Sequence, residues 1–438
     1  MSLVENVISH ALKLGADEVH VVYRRSRSSS VEIEMNEISR TTFAVKDSLR
    51  VTVIVGKRIA MASVSEVTLD SALQCAEKAY RMALALKPNE HWEGLPEPKP
   101  ITRVGGLYDK RVAELEADEI VEMGKSMLDA ARSVSDKVSI MGASVSCSTS
   151  AVEMASSRGF HEAEDYTSFS AGAVAVAREG PLVGSFAAEE DASRSLDVDV
   201  EEVARKASRK ALDSLHLKPA PSFKGTLILD YEFAALLFTA LSSAYNGYMV
   251  WRGSSPLAGK VGERVATENL TVIDDGTLTG GLGSASFDGE GSPTMRNAVV
   301  DKGVLKTYIN NTFTARILGM QPTGNAADII SVAPSNTIVE PGDWSVEEIL
   351  SDVKRGLLVS RFSGMIRFQD GIVSGTAKQA FYIEDGVKKY PVRECMITGN
   401  LYEFIKNVSA LSRERRRTPF RVITPIVRIE NVSFVGKQ

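Results

Sequence analysis

Five histidines, three cysteines, a glycine-rich stretch and a run of arginines are where chemistry could reside in this 438-residue chain. A hydrolytic metal centre needs neutral imidazoles, thiolates or carboxylates brought to one point, with a position left open for water. The histidines are His10, His20, His91, His161 and His216, and no two share a ligand spacing such as four residues. "HEAED", from His161, opens with His-Glu, yet no second histidine follows and the segment reads as strand and turn. All five are therefore expected at the surface or in structural roles. Cys75, Cys147 and Cys395 are too few and too scattered for a disulfide framework or a thiolate cage. No G-x-S-x-G elbow is present to raise a serine nucleophile. "RGSS" (Arg252, Gly253, Ser254, Ser255) has no histidine near it in sequence, and is expected to shape a loop whose backbone amides could meet substrate. "GLGSASFDGEGSP" lacks the Gly-Lys-Ser/Thr ending of a phosphate loop, which favours a flexible surface loop. "SRERRRTP" holds Arg413, Arg415, Arg416 and Arg417. A solvated charge run comes first for it, a partner or anion contact second, and nucleic acid third, because no aromatics are interleaved.

The bulk composition narrows the class. Apolar residues make up 44% and charged residues 24%, enough for a substantial core. A chain of this length exceeds what one core organises, so two or three domains are expected. Net charge is −5, with a pI near 5.8, so no basic field favours nucleic acid or an anionic membrane. "MSLVENVISHALKLGADE" has no basic segment followed by an apolar one, unlike a signal peptide. "TLILDYEFAALLFTALSSAY" comes nearest to the ~20 apolar residues of a membrane span, but Asp230 and Glu232 interrupt it. A soluble, cytoplasmic protein is expected.

The elements follow from periodicity. Val4, Val7, Ile8, Ala11 and Leu12 share a helical face that stops at Gly15. "EVHVVYRR", "SSVEIEM", "SLRVTVIV" and "RIAMASV" alternate as strands. A helix from Leu69 to Leu86, capped by Thr68, ends this unit. "KPNEHWEGLPEPKPITRVGG", within a linker of about 87–112, is proline- and glycine-rich and reads as an extended connector. The order then recurs: a helix at Asp118–Ser133, the strands "KVSIMGASVS" and "AVEMASS", a hairpin in "SAGAVAVAREGPLVGSFAA", and a helix at Val200–Leu215. The fold class is thus α+β, with a duplicated N-terminal unit of antiparallel strands and helices over residues 1–220. A β-rich C-terminal domain should occupy 221–438, carrying one helix near its start. Its hairpins turn at Asp-Lys-Gly and Asp-Gly, which supply positive φ, and a short helix with a Ser345/Glu348 capping box lies between them.

"RGSSPLAGKVGERVATENLTVIDDGTL", "FDGEGSPTMRNAVVDKGVLKTYINNTFTARILGMQPTGNA" and "AFYIEDGVKKYPVRECMITGN" resemble, in that order, the TldD/PmbA family of metallopeptidase-related proteins. The match is collinear from Arg252 to about Asn407, and "ALKLGADEVHVVYRRSRSSSVEIEMNEISR" fits the family's N-terminal pattern more loosely. One kind of member carries His-Glu-x-x-x-His on the helix before the Arg/Lys-Gly-Ser-Ser stretch, and a C-terminal cysteine completes its zinc site. Anchored on that stretch, the matching positions here are Phe238, Thr239 and Ser243, and the C-terminal segment reads "LSRERRRTPFRVITPIVRIENVSFVG" with no cysteine. Phenylalanine cannot bind zinc, and a serine hydroxyl is a poor ligand.

The resemblance therefore implies the other kind of member, PmbA- or TldE-like, with no cofactor of its own and zinc in a partner. It implies a non-catalytic subunit of a protease acting on unfolded peptides or proteins. The partner would be a zinc-bearing TldD-like paralogue, or a second copy in a homodimer. It places Arg252, Gly253, Ser254, Ser255, Asp288, Glu290 and Thr294 near a groove for an extended peptide, bound chiefly through backbone edges. No contact with nucleic acid or membrane is expected. The alternatives are a stand-alone hydrolase with a centre not recognisable in sequence, and a regulatory binding protein of the DNA gyrase modulator type.

Overall fold

Val19, Val21, Val31 and Ile33 occupy odd positions of one strand and so leave it on the same face. In the computed structural model, which describes residues 2–436, that strand is β1 (Glu18–Glu34). It pairs antiparallel with β2 (Glu37–Val55), which pairs in turn with β3 (Arg58–Ser65). On its other side β1 meets β4 (Val138–Ser156), followed by β5 (His161–Glu179), which carries the short β6 (Leu182–Val183) and then β7 (Ala187–Ser193). Across the sheet the order is β3-β2-β1-β4-β5-β7, so the first strands of the two repeated units pair at the centre.

Helices α1 (Leu3–Lys13) and α2 (Leu69–Ala85) cover one end of the odd face, over Val19, Val21, Leu49 and Val51. After the single turn α3 (Lys110–Ala113), α4 (Ala117–Val134) and α5 (Val200–Asp213) cover the other end, over Val31, Ile33, Val145 and Phe169. Each half is thus helix, antiparallel strands, helix, as the repeated element order implies.

Two expectations are corrected here. "EVHVVYRR" and "SSVEIEM" form a single strand, as do "KVSIMGASVS" and "AVEMASS". The Arg- and Ser-rich middle of the first and the Ser- and Thr-rich middle of the second run between the stretches that the two helix pairs cover, where no apolar alternation is demanded. The turn after β1 uses Met35 (φ 50°) and Asn36 (φ 66°) without glycine. Asn36 accepts the Ile140 amide at 2.7 Å and so holds that turn.

The proline-rich connector has no regular structure before α3, but it is not idle. Trp92 and Leu95 are buried, and their N–H groups donate to the Glu18 carboxylate at 3.0 and 3.1 Å. The Arg158 guanidinium completes that cluster at 2.8 Å.

In the C-terminal half, the strands Phe223–Leu229, Arg355–Ile366, Ile372–Glu384, Cys395–Asn400 and Val422–Gly436 pair in a circuit that closes on itself. Their inward residues enclose α6 (Tyr231–Ala244) in the main core. The expected turns occur at Lys302-Gly303 and Asp385-Gly386, all at positive φ, and Ser345 caps Val346–Ser351 with Glu348. No helix among the described residues is long and apolar enough to cross a membrane.

The arginine run forms a clamp between the halves. Arg417 reaches Asp191 and Asp197 at 3.3 and 3.2 Å, and Arg416 reaches Glu189 at 3.2 Å. Arg413 stays within its own half, against the Asp343 carbonyl at 2.6 Å. Half-buried pairs that share several acceptors contribute more than isolated surface pairs. Arg417→Ala should therefore cost about 1–2 kcal/mol in denaturant unfolding at low salt, and Arg413→Ala less than about 0.5 kcal/mol. Equal effects of the two would show that the run is solvated.

Candidate functional site

The helix that precedes "RGSS" is α6. Its N-cap, Asp230, accepts the Tyr231 amide and the Ser360 hydroxyl at 2.8 and 2.9 Å. Phe238 has no exposed surface and packs in the main core with Phe233, Leu237 and Leu241. Thr239 is exposed, and its hydroxyl bonds back to the Ala235 carbonyl at 2.8 Å. Ser243, one turn further along the same side as Thr239, is half-buried. Of the arginine-bearing strand, Leu411 is buried in the same core as α6, and Ala410 is buried beside Ile349 and Val353.

Zinc does not fit these residues. One of the three positions is hydrocarbon inside the core, one is tied to its own helix, and only Ser243 has an oxygen to spare. Among the described residues no cluster of three His, Cys, Asp or Glu side chains could hold a metal ion. Cys395 is the one cysteine of this half, and burial pushes its thiol up to about 11, so it is no thiolate at neutral pH.

"RGSS" follows the short helix Gly247–Trp251. Arg252 and Gly253 are exposed, and Gly253 takes a left-handed φ of 67°. Ser255 turns inward, donating to the Ala244 carbonyl and accepting the Leu257 amide at 3.1 Å. The loop is thereby fixed to the end of α6, as a shaping role requires.

The glycine-rich stretch is not a flexible surface loop. Ser284, Ser286, Asp288 and Glu290 are all buried. Asp288 accepts the amides of Glu290, Ser292 and Ala326 at 3.2, 2.9 and 3.0 Å. Glu290 accepts the Thr312 amide and hydroxyl at 2.9 and 2.7 Å, and Thr294 donates to the Gly276 carbonyl at 3.3 Å. Gly289 lies so close to the Ala327 carbonyl that an added Cβ would sit 2.4 Å from it. The glycines here serve close packing rather than mobility. Arg252 and Gly253 thus face solvent, while Asp288, Glu290 and Thr294 bind loop to loop from within.

Burial drives the carboxyls of this region upward. Asp288 lies well above the usual carboxylate range through desolvation and the nearby Glu290, and Asp274 is pushed up to about 7 by desolvation.

Three family models match the chain in succession. The PmbA/TldA metallopeptidase domain 1 matches residues 19–83, the central domain 110–215 and the C-terminal domain 222–436. The chain belongs to the PmbA/TldD family. A metalloprotease of Methanothermobacter thermautotrophicus is 35% identical over 224 residues, 50% of this chain and 49% of that one. The match to this archaeal relative thus spans about half its length. Metalloprotease PmbA of Escherichia coli O157:H7 is 25% identical across 94% of this chain and 92% of its own. Among solved structures, TldE of Thermococcus kodakarensis superposes with a TM-score of 0.92 at 29% identity, covering 99% of this chain and 100% of that one. A Bacteroides thetaiotaomicron protein described as a proposed modulator of DNA gyrase gives 0.89 at 26% identity, covering 99% and 98%.

Sequence reading did not foresee a cavity of about 630 Å³ between the N-terminal sheet and the start of α6. Its wall comes from seven separated segments, and no local pattern announces it.

Two stability measurements test the buried acids. Asp288→Ala leaves three backbone N–H groups without an acceptor and should cost at least about 3 kcal/mol, whereas Asp288→Asn, which keeps an acceptor oxygen, should cost less. Asp274 has its folded pKa above its unfolded value of 3.8, so the native state binds the extra proton. Stability should therefore fall as pH rises from about 4 to about 7, and Asp274→Asn should flatten part of that decline. An unchanged slope would mean that Asp274 is ionised throughout.

Proposed function

We propose that this chain is the metal-free, non-catalytic subunit of a two-component zinc protease of its family, working in the cytoplasm on unfolded peptides or proteins. The partner is a TldD-like paralogue that carries the zinc and its general base. This chain supplies the other half of an enclosure that admits extended polypeptide. One observation carries the reading: Phe238, at a ligand position of the zinc-bearing kind, is interior core. A histidine there would lose its hydration and repack α6.

The exposed Arg252 and Gly253 are assigned to the wall of the peptide path. Ser254, Ser255, Asp288, Glu290 and Thr294 act from behind by fixing the loops. Substrate held through its backbone needs few distinctive side chains, which suits a chain with no catalytic constellation.

The test is reconstitution. This chain and the zinc-bearing paralogue of the same organism are purified separately without chelator, and cleavage of an unfolded protein is followed for each alone and for the mixture. The chain alone should carry far less than one metal equivalent and cleave nothing, and the mixture should exceed the paralogue alone by about tenfold or more. Cleavage by the purified chain, or one firmly held equivalent of zinc, overturns the proposal.

A further inference from the structure

The cavity of about 630 Å³ lies between the far end of the N-terminal sheet and the opening of α6, and a second of about 220 Å³ shares Lys210 and Asp230 in its wall. The floor of the first is legible from strand register. Glu32 lies opposite Ser144, Ser144 opposite Gly172, and Gly172 opposite Glu190, one row across four strands. With no side chain at Gly172, the Glu190 side chain lies over the middle of that row, its Cγ 3.1 Å from where a Cβ would stand. Met35 and Phe420, 65% and 48% exposed, give apolar rims, and Tyr231 lines the α6 side.

The charges around this cleft are unequally matched. Its cations are engaged: Lys210 with Glu189 at 2.6 Å, Arg416 with Glu189 and over the Tyr231 ring at 4.6 Å, and Arg417 with Asp191 and Asp197. Glu32 takes Arg40 at 2.7 Å, and Asp230 is the α6 cap. Glu190 and Glu232 have no direct hydrogen-bond partner among the described residues. The cleft therefore holds acceptor charge in excess, on a surface that also offers apolar contact.

A second observation is independent of charge. Gln379, 8% exposed, has both its side-chain nitrogen and its oxygen buried without a partner, and it lines the 220 Å³ cavity. Its φ is +48°, and the register between Arg355–Ile366 and Ile372–Glu384 passes over Ser360 and Gln379. Buried polar atoms are nearly always paired, and strained non-glycine backbone collects at functional positions. A free carboxamide offers an acceptor and donors side by side, complementary to a peptide group.

We propose that this interdomain cleft binds an extended peptide segment bearing a lysine or arginine, with the cation against Glu190 and Glu232 and a backbone amide paired to Gln379. The proposal deepens the peptide-handling reading above and rests on it. Burial pushes Glu232 up to about 7, and the groups facing it are Lys210, Arg361, Glu189 and Asp230. A bound cation favours its ionised form, so affinity rises between pH 6 and pH 8.

The experiment is fluorescence anisotropy on the full chain with two labelled, end-blocked hexapeptides of alanine and serine, one with a single lysine and the other with norleucine in its place. The lysine peptide should bind about tenfold more tightly, equivalent to about 1.4 kcal/mol. Glu190→Gln with Glu232→Gln should abolish that preference and its pH dependence. Gln379→Met should weaken both peptides about tenfold while Tm holds or rises, because an unpaired buried amide has been removed. A fall in Tm with binding intact would mean that Gln379 serves the fold through water, and would overturn its assigned role. Equal binding of the two peptides sinks the basic specificity and leaves the peptide-handling reading standing. Binding of neither overturns the cleft itself, while stimulation of the zinc-bearing paralogue still decides the subunit reading separately.

Discussion

Helix α6 is apolar around almost its whole circumference, and the C-terminal half is organised by the need to cover it. Phe233, Ala234, Ala235, Leu237, Phe238, Leu241 and Ala244 are all essentially inaccessible. Phe233 stacks on Phe362 with centroids 4.6 Å apart, so the closing strands grip the helix through rings as well as aliphatic contact. Once the helix is interior, its side chains are chosen by packing. Phe238, which the sequence resemblance aligns with a zinc-ligand position, is hydrocarbon inside the core. The burial that holds this half together thus also leaves no metal-binding side chain at Phe238.

The N-terminal sheet presents the complementary problem. Its odd face is covered by its own helices, and its even face is covered by the connector, through Trp92, Leu95 and Ile101, and by the C-terminal half. Where that cover fits, the seam is apolar and stitched by single polar groups: Phe160 meets Phe287 edge-on at 5.5 Å, and Glu164 accepts the Ser286 amide at 2.9 Å. Arg194 crosses to the Leu282 carbonyl at 2.7 Å. At the far end apolar contact gives out, and charged side chains take over. Arg416 and Arg417 are held by carboxylates of the N-terminal half, which keeps the two halves in register without closing the space between them, while Lys210 pairs with Glu189 within that half. A rigid interdomain cleft results, in the kind of place where ligand sites commonly form.

Most of the fold was legible in sequence because its signals are local. The helices α1, α2, α4 and α5 follow from apolar spacing and caps, and the glycine turns from the need for positive φ. What was missed is non-local. The fusion of two strand signals into β1 depends on the sheet pairing continuously through Arg24–Ser30, which alternation cannot reveal. The glycine-rich stretch looked mobile because its acceptors, Asp288 and Glu290, bind amides of residues 312 and 326 that lie far along the chain. The absent ligands at Phe238, Thr239 and Ser243 could be read by resemblance alone, but the cleft around Lys210, Glu232 and Gln379 is assembled only by the tertiary fold.

The buried acids of the C-terminal half also bear on how its irregular loops are held together. Between Asp275 and Asn336 regular structure is sparse, so many backbone N–H groups need acceptors that no ladder supplies. Asp274, Asp288 and Glu290 provide them, and the side-chain oxygens of Asn311 and Asn336 accept the Thr314 and Gly283 amides in the same way. In proteins whose irregular loops are gathered by an ion, metal affinity is folding energy, and removing the metal removes the fold. Here cross-linking is done by side chains, at the cost of desolvating carboxyls, which raises their pKa values. The loops between Asp275 and Asn336 are therefore held in shape by side chains of the chain itself.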